Sequence, residues 1–178
     1  MKGIVFTEFF EMVENSFGFD MVDSIIEKAK LPHNGMYVAG GTYPHEEMVQ
    51  LVVALGNETQ TPVPDLLKAY GKYLFHRLIA LYPQLKQGNE NPLQFIAQVE
   101  NFIHVEVKKL YPDAELPKFT TIELSDNLLV LDYLSARKMQ DFGVGLMEGC
   151  AEHYQQPLHI RYEAIENSEA VRFYISLA

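Results

Sequence analysis

The sequence predicts an α+β fold: a helical N-terminal lobe, then a C-terminal lobe with a four-stranded antiparallel sheet and packed helices. Two observations carry this. Apolar residues recur at helical spacing through the first two-thirds of the chain. Two strand–turn–strand patterns are then crowded into the last third. Strands joined as hairpins make an antiparallel sheet. The chain has 178 residues, and domains usually span about 100–200, so 1–178 reads as one domain. Its parts are a helical N-terminal subdomain, about 1–60, and an α/β subdomain, about 61–178.

Ile4, Val5, Phe6, Phe9, Phe10, Met12 and Val13 define the first helix, which Asn15-Ser16-Phe17-Gly18 breaks. Asp20 is expected to cap a second helix carrying Val22, Ile25, Ile26 and Ala29 on its apolar side. Residues 31–43 hold Pro32, Gly35, Gly40 and Gly41 and read as a loop. Helices are expected over about 44–55 and from 61 to 82, the second stopped by Pro83. Residues 87–91 read as a loop. Asn91-Pro92 then offers a cap residue followed by proline at the first helical position, opening one helix to about Tyr111. Strands are expected over 119–124 and 128–135 with a turn at Ser125-Asp126-Asn127, and over 158–165 and 170–177 with a turn at Asn167-Ser168. Between the hairpins, 138–154 reads as a helix. Its Gly143, Gly145 and Gly149 cost helix stability but let it lie close against another surface.

Composition narrows the function. Fourteen basic against 24 acidic residues give a net charge of −10, the opposite of a nucleic-acid or anionic-membrane footprint. One cysteine, Cys150, forbids an internal disulfide and a multi-cysteine zinc site, and it reads as a small buried thiol. No apolar run is long enough to span a bilayer, and the acid at Glu8 comes too early for a signal peptide. A cytoplasmic protein is expected. No phosphate loop, nucleophile elbow or His-Glu-x-x-His motif is present, so no enzyme is expected.

Two features carry chemistry. Of the six histidines, His33 and His45 are expected to be solvated beside loops, and His76, His153 and His159 to lie at the surface or at element ends. His104 differs: it follows Phe102-Ile103 and falls near the helical line of Leu93 and Ala97. It is either a core histidine bonded to a carbonyl or an axial ligand to iron in an apolar cavity. The second feature is Tyr133-Leu134-Ser135-Ala136-Arg137 at a strand end. Alternation aims the phenol, hydroxyl and guanidinium to one side. They form either the polar face of an edge strand or a carboxylate clamp. An axial histidine and a carboxylate clamp together are what a buried heme with two propionates requires.

With these residues the chain resembles the heme-nitric-oxide/oxygen-binding (H-NOX) family of gas sensors. The resemblance covers the whole chain and rests on Met1-Lys2-Gly3, on Tyr133-x-Ser135-x-Arg137 and on a histidine about thirty residues upstream. It implies heme b buried between the two lobes. His104 would be the proximal ligand, Tyr133, Ser135 and Arg137 would hold the propionates, and Pro117 would press on the porphyrin. Val5, Phe9, Leu74, Leu78, Phe142 and Leu146 would line the distal, gas-binding side. Members that hold O₂ carry a distal tyrosine where this chain has Phe142, supported by a polar residue where it has Leu74. Neither can donate a hydrogen bond, whereas Gln140, Tyr70 and Tyr73 have donors of unknown direction. The resemblance therefore implies a sensor that binds NO and CO and excludes O₂. NO is expected to weaken the bond to His104, release its helix and shift the lobes. With no output segment visible, signalling is expected in trans, to a histidine kinase or a cyclic-di-GMP enzyme. The alternatives are a cofactor-free interaction module, a heme peroxidase and an O₂-binding sensor.

Overall fold

The computed structural model describes residues 1–86 and 91–178. The expected loop at 87–91 lies outside the described residues except for Asn91.

Helix α1 (Gly3–Phe17) buries Phe6, Phe9 and Val13 completely. It ends where Gly18, at φ 86°, donates its N–H to the Glu14 carbonyl. Helix α2 (Phe19–Ala29) follows at once. Asp20 does not cap it: Gly18 sits at the cap, and Asp20 falls in the first turn, beside the positive end of the helix dipole. The 31–43 segment folds back on α1, where the Gly3 and Ile4 N–H groups donate to the Gly41 and Ala39 carbonyls at 2.8 and 2.9 Å. A Cβ on Gly3 would stand 1.8 Å from the Val38 carbonyl oxygen, so only glycine fits there. Helix α3 (His45–Thr59) runs one turn beyond its expected end, and α4 (Val63–Leu81) opens with Pro64 in its first turn.

The expected helix over 92–111 is not continuous. Asn91 accepts the Gln94 N–H at 2.9 Å and caps α5 (Pro92–Ala97). A π turn, Val99–Ile103, then precedes α6 (His104–Leu110). Strands β1 (Lys118–Leu124) and β2 (Leu128–Leu134) form the first hairpin. Helix α7 (Gln140–His153) leads to the second hairpin, β3 (Leu158–Ala164) and β4 (Val171–Leu177). The sheet order is β1-β2-β4-β3, with every pair antiparallel. The hairpins thus meet through β2 and β4, the strands richest in buried side chains.

Two apolar cores share α4. Leu66, Tyr70 and Leu74 join α1–α3 in the first core. One turn on, Phe75 and Ile79 join Leu129, Leu131, Phe173 and Ile175 from the sheet in the second. Helix α7 lies backbone to backbone against α4. A Cβ on Gly145 would stand 2.1 Å from the Lys68 carbonyl oxygen, and one on Gly71 would stand 2.3 Å from that of Phe142. Gly149 is similarly pressed, with its Cβ position 2.8 Å from Phe75, but Gly143 meets nothing closer than 4.0 Å. Among the described residues, no helix is long and apolar enough to cross a membrane.

Candidate functional site

A cavity of about 300 Å³ opens between the two cores. Its wall is mostly apolar, broken by one histidine, one cluster of polar groups, Lys2 and two further tyrosines, Tyr82 and Tyr111. Val5 from α1, Leu74 and Leu78 from α4, and Phe142 and Leu146 from α7 all line it. Phe9 does not. It is fully buried in the first core, with its ring edge-on to Tyr70 at 5.1 Å. Phe9 lies one turn further along α1 than Val5 on nearly the same face, and there the first core, not the cavity, takes up its ring.

His104 reaches the cavity through the π turn. The expected alignment with Leu93 and Ala97 does not hold, because neither residue lines the cavity. The Ile103 N–H bonds the Gln98 carbonyl at 3.3 Å, five residues back, so the turn holds one residue more than an α turn. The lining face becomes Ile96, Val99, Ile103, His104, Val107 and Leu110. Glu100 orients the imidazole: its Oε2 lies 3.3 Å from His104 Nδ1 and also accepts the Phe119 N–H at 2.9 Å. With Nδ1–H donating, Nε2 keeps the lone pair a metal requires. Burial pushes the His104 pKa below the usual histidine value, against the pull of Glu100, and so favours the neutral, ligating form.

Tyr133, Ser135 and Arg137 line the same cavity, with Pro117 beside them. Strand β2 stops at Leu134, and a turn follows in which the Lys138 N–H donates to the Ser135 carbonyl at 3.2 Å; Leu134 and Ala136 are nevertheless exposed while the other three are more buried. Tyr133 is 7% exposed and packs against Phe119 and Phe173. Burial raises its pKa, so the phenol stays a donor. The Arg137 N–H donates to Ser135 Oγ at 3.2 Å. The Arg137 guanidinium lies 3.5 Å from the Glu115 carboxylate, which is almost wholly in solvent. The cluster therefore presents a phenol, a hydroxyl and a guanidinium in contact with a carboxylate.

The three candidate donors, Tyr70, Tyr73 and Gln140, do not reach the distal residues' side of the cavity wall. The Tyr70 hydroxyl is fully buried and donates to the Val5 carbonyl. None of the three lines the cavity.

Sequence reasoning missed Lys2, Tyr82, Tyr111 and Glu115 on the wall. Tyr82 and Tyr111 cap the C-terminal ends of α4 and α6, and their hydroxyls meet at 3.1 Å. Only the two prolines that follow them marked those positions as helix ends. His33 is not simply solvated: its Nδ1 lies 2.6 Å from Glu47, a buried carboxylate that also accepts the Tyr37 hydroxyl at 2.6 Å. Cys150 is a buried thiol at the cavity wall, its pKa raised by burial.

The haem-NO-binding family model matches residues 2–162. The chain belongs to this family. Its fold is that of H-NOX proteins. It is similar to the Fe(II) unliganded H-NOX protein of K. algicida, at 42% identity and TM-score 0.93, covering 100% of this chain and 97% of that one. The H-NOX protein of S. oneidensis in the Fe(II)NO state matches at 27% identity and TM-score 0.91, covering 100% and 99%. The H-NOX of Shewanella woodyi, bound to IWP-051 in the Fe(II)CO state, matches at 38% identity and TM-score 0.85, covering 100% and 95%. No curated protein matches the chain significantly. Family members are heme-binding gas-sensor domains rather than enzymes.

The donor set fits heme. Among the described residues, no three His, Cys, Asp or Glu side chains converge to hold a bare metal ion. One partly buried imidazole, pushed toward its neutral form, in a largely apolar cavity suits a metal whose other ligands come from a macrocycle. The polar cluster supplies partners for that macrocycle's carboxylates.

Proposed function

We propose that this chain is a heme b sensor that binds NO and CO, excludes O₂, and signals in trans to a separate protein, a histidine kinase or a cyclic-di-GMP enzyme. The reading divides the chain into a helical lobe, about 1–60, and a heme-holding lobe, about 61–178. Heme, when bound, would supply a ferrous iron able to take up a diatomic gas. His104 Nε2 is the iron ligand, held at its aim by Glu100. Tyr133, Ser135 and Arg137 hold the two propionates, and Pro117 presses on the macrocycle from beside them. Val5, Leu74, Leu78, Phe142 and Leu146 form the gas side and keep water out.

One observation carries the ligand preference: none of these five side chains has a donor, the Tyr70 hydroxyl is already bound to the Val5 carbonyl, and the Tyr82 and Tyr111 hydroxyls meet each other. Bound O₂ takes up negative charge and needs a donor, whereas NO and CO need one far less. A hydrogen bond to a charged group contributes about 1.5–3 kcal/mol, roughly ten- to hundredfold in affinity. Its absence removes O₂ selectively.

The signal follows from the placement of His104 at the start of α6. Glu100 grips both His104 and the β1 backbone at Phe119. Freeing His104 leaves α6 tied only through its neighbours, and the lobes shift between two states. A gas acts on that equilibrium only by favouring one state. The test is His104→Gly supplied with free imidazole. Heme should remain bound while NO no longer changes partner output. Normal NO signalling in that variant would contradict the role of His104.

A further inference from the structure

The N-terminus, the 38–43 loop and the segment after α6 meet at Lys2. Its ammonium donates to the Gly40 carbonyl at 2.8 Å, to Thr42 Oγ1 at 2.8 Å and to both Asp113 oxygens at 3.0 and 3.1 Å. Thr42 in turn donates to Asp113 Oδ2 at 2.6 Å. The same ammonium lies 5.3 Å from the centre of the Tyr111 ring. The Lys2 side chain is only 10% exposed although its partner Asp113 is 61% exposed. Asp113 sits on the segment between α6, which begins at His104, and Pro117. Lys2 and Thr42 belong to the helical lobe, where a single antiparallel bridge pairs them. One ion pair, closed into a ring by a threonine hydroxyl, thus ties the helical lobe to the distal end of the His104 helix.

We propose that Lys2 and Asp113 are positioning residues that latch the two lobes together and hold the protein in its unliganded state. This deepens the two-lobe reading above and rests on it. A lysine whose hydrogen-bond donors are all engaged, and which is mostly removed from solvent, has few ways to move without breaking the set. A shift of the 38–43 loop relative to α6 must part Asp113 from Lys2, from Thr42, or from both. The latch therefore opposes lobe movement and sets how readily the state change occurs. Gly3, Ile4 and Tyr43 report its condition, because their amides bond across the bridge to Gly41, Ala39 and Met1.

The test is amide hydrogen exchange of the heme-loaded ferrous protein with and without NO, in wild type, Asp113→Asn and Asp113→Glu. Asp113 is largely exposed, so the asparagine variant keeps its core. In wild type, NO should speed exchange at the three amides by about tenfold. In Asp113→Asn they should exchange fast without NO, with less than about a twofold further response, and the NO complex should hold a larger five-coordinate fraction than wild type. Asp113→Glu should restore the wild-type pattern. A wild type that responds to NO, with Asp113→Asn identical to it in exchange and in NO spectrum, overturns the latch alone. A wild type with a normal NO spectrum and no exchange response anywhere overturns the lobe shift, and the latch with it.

Discussion

At the scale of single residues, ligand choice rests on which side chains can donate into the cavity. Phe142 and Leu74 are on its wall and cannot. Phe142→Tyr should give a detectable oxy spectrum in air and lengthen the life of the O₂ complex by about ten- to hundredfold, measured by stopped-flow decay. Glu100 acts one step away. Glu100→Ala removes the acceptor for both His104 and the Phe119 N–H. Loss of such an outer partner costs about 10–100-fold in metal affinity, read as faster heme transfer to apomyoglobin, and Glu100→Gln should recover part of it. Residue identity made much of this legible beforehand. The convergence of Tyr133, Ser135 and Arg137 was legible from the alternation, although a turn closed by the Lys138 N–H on the Ser135 carbonyl, rather than extended backbone, places Arg137. The commitment of Tyr70 to the Val5 carbonyl was not legible, because its partner lies 65 positions away in sequence.

At the scale of elements, α4 and α7 behave as one unit because glycine lets their backbones touch. Gly145→Ala would place a Cβ 2.1 Å from the Lys68 carbonyl oxygen, which cannot yield without moving α4. Overpacking of this kind costs about 1–3 kcal/mol, a fall in Tm of roughly 3–9 °C by calorimetry. The hairpins and most helices follow directly from turn residues and periodicity. The segment 92–111 does not. A π turn has no residue signature in Val99–Ile103, and an uninterrupted period of 3.6 puts His104 in line with residues that face elsewhere. The extra residue in that turn is what brings His104 beside Ile103 and Val107 on the wall. Phe9 fails for the reverse reason. The position matches the resemblance, but α1 directs that ring into the first core.

At the scale of the whole molecule, inter-element ion pairs join what the cores do not. Asp113, held by Thr42 and Lys2, and Glu152, held by Lys72 and His76, both have carboxyl pKa values below the ordinary ones of 3.8 and 4.5. A carboxyl with a lowered folded pKa stabilises the native state fully above its unfolded value and loses that contribution as pH falls through the folded one. Acid should therefore weaken the lobe junction and the α4–α7 surface together, starting near pH 4–5. Urea midpoints measured between pH 7 and 3 should fall in that window, and Asp113→Asn should flatten part of the decline. A decline of unchanged size in that variant would show that Asp113 does not carry it.

The central claim is that His104 and an apolar distal wall make an NO sensor that rejects O₂. The direct measurement is the absorption spectrum of purified, heme-loaded protein reduced with dithionite. It is recorded without oxygen, after addition of NO, and after exposure of a separate reduced sample to air. The ferrous heme band should shift to a five-coordinate NO form on addition of NO, with no stable oxy complex in air. A stable oxy spectrum would mean that some donor reaches the gas after all. A folded protein that stays colourless after reconstitution would remove His104 from the iron and contradict the account at its base.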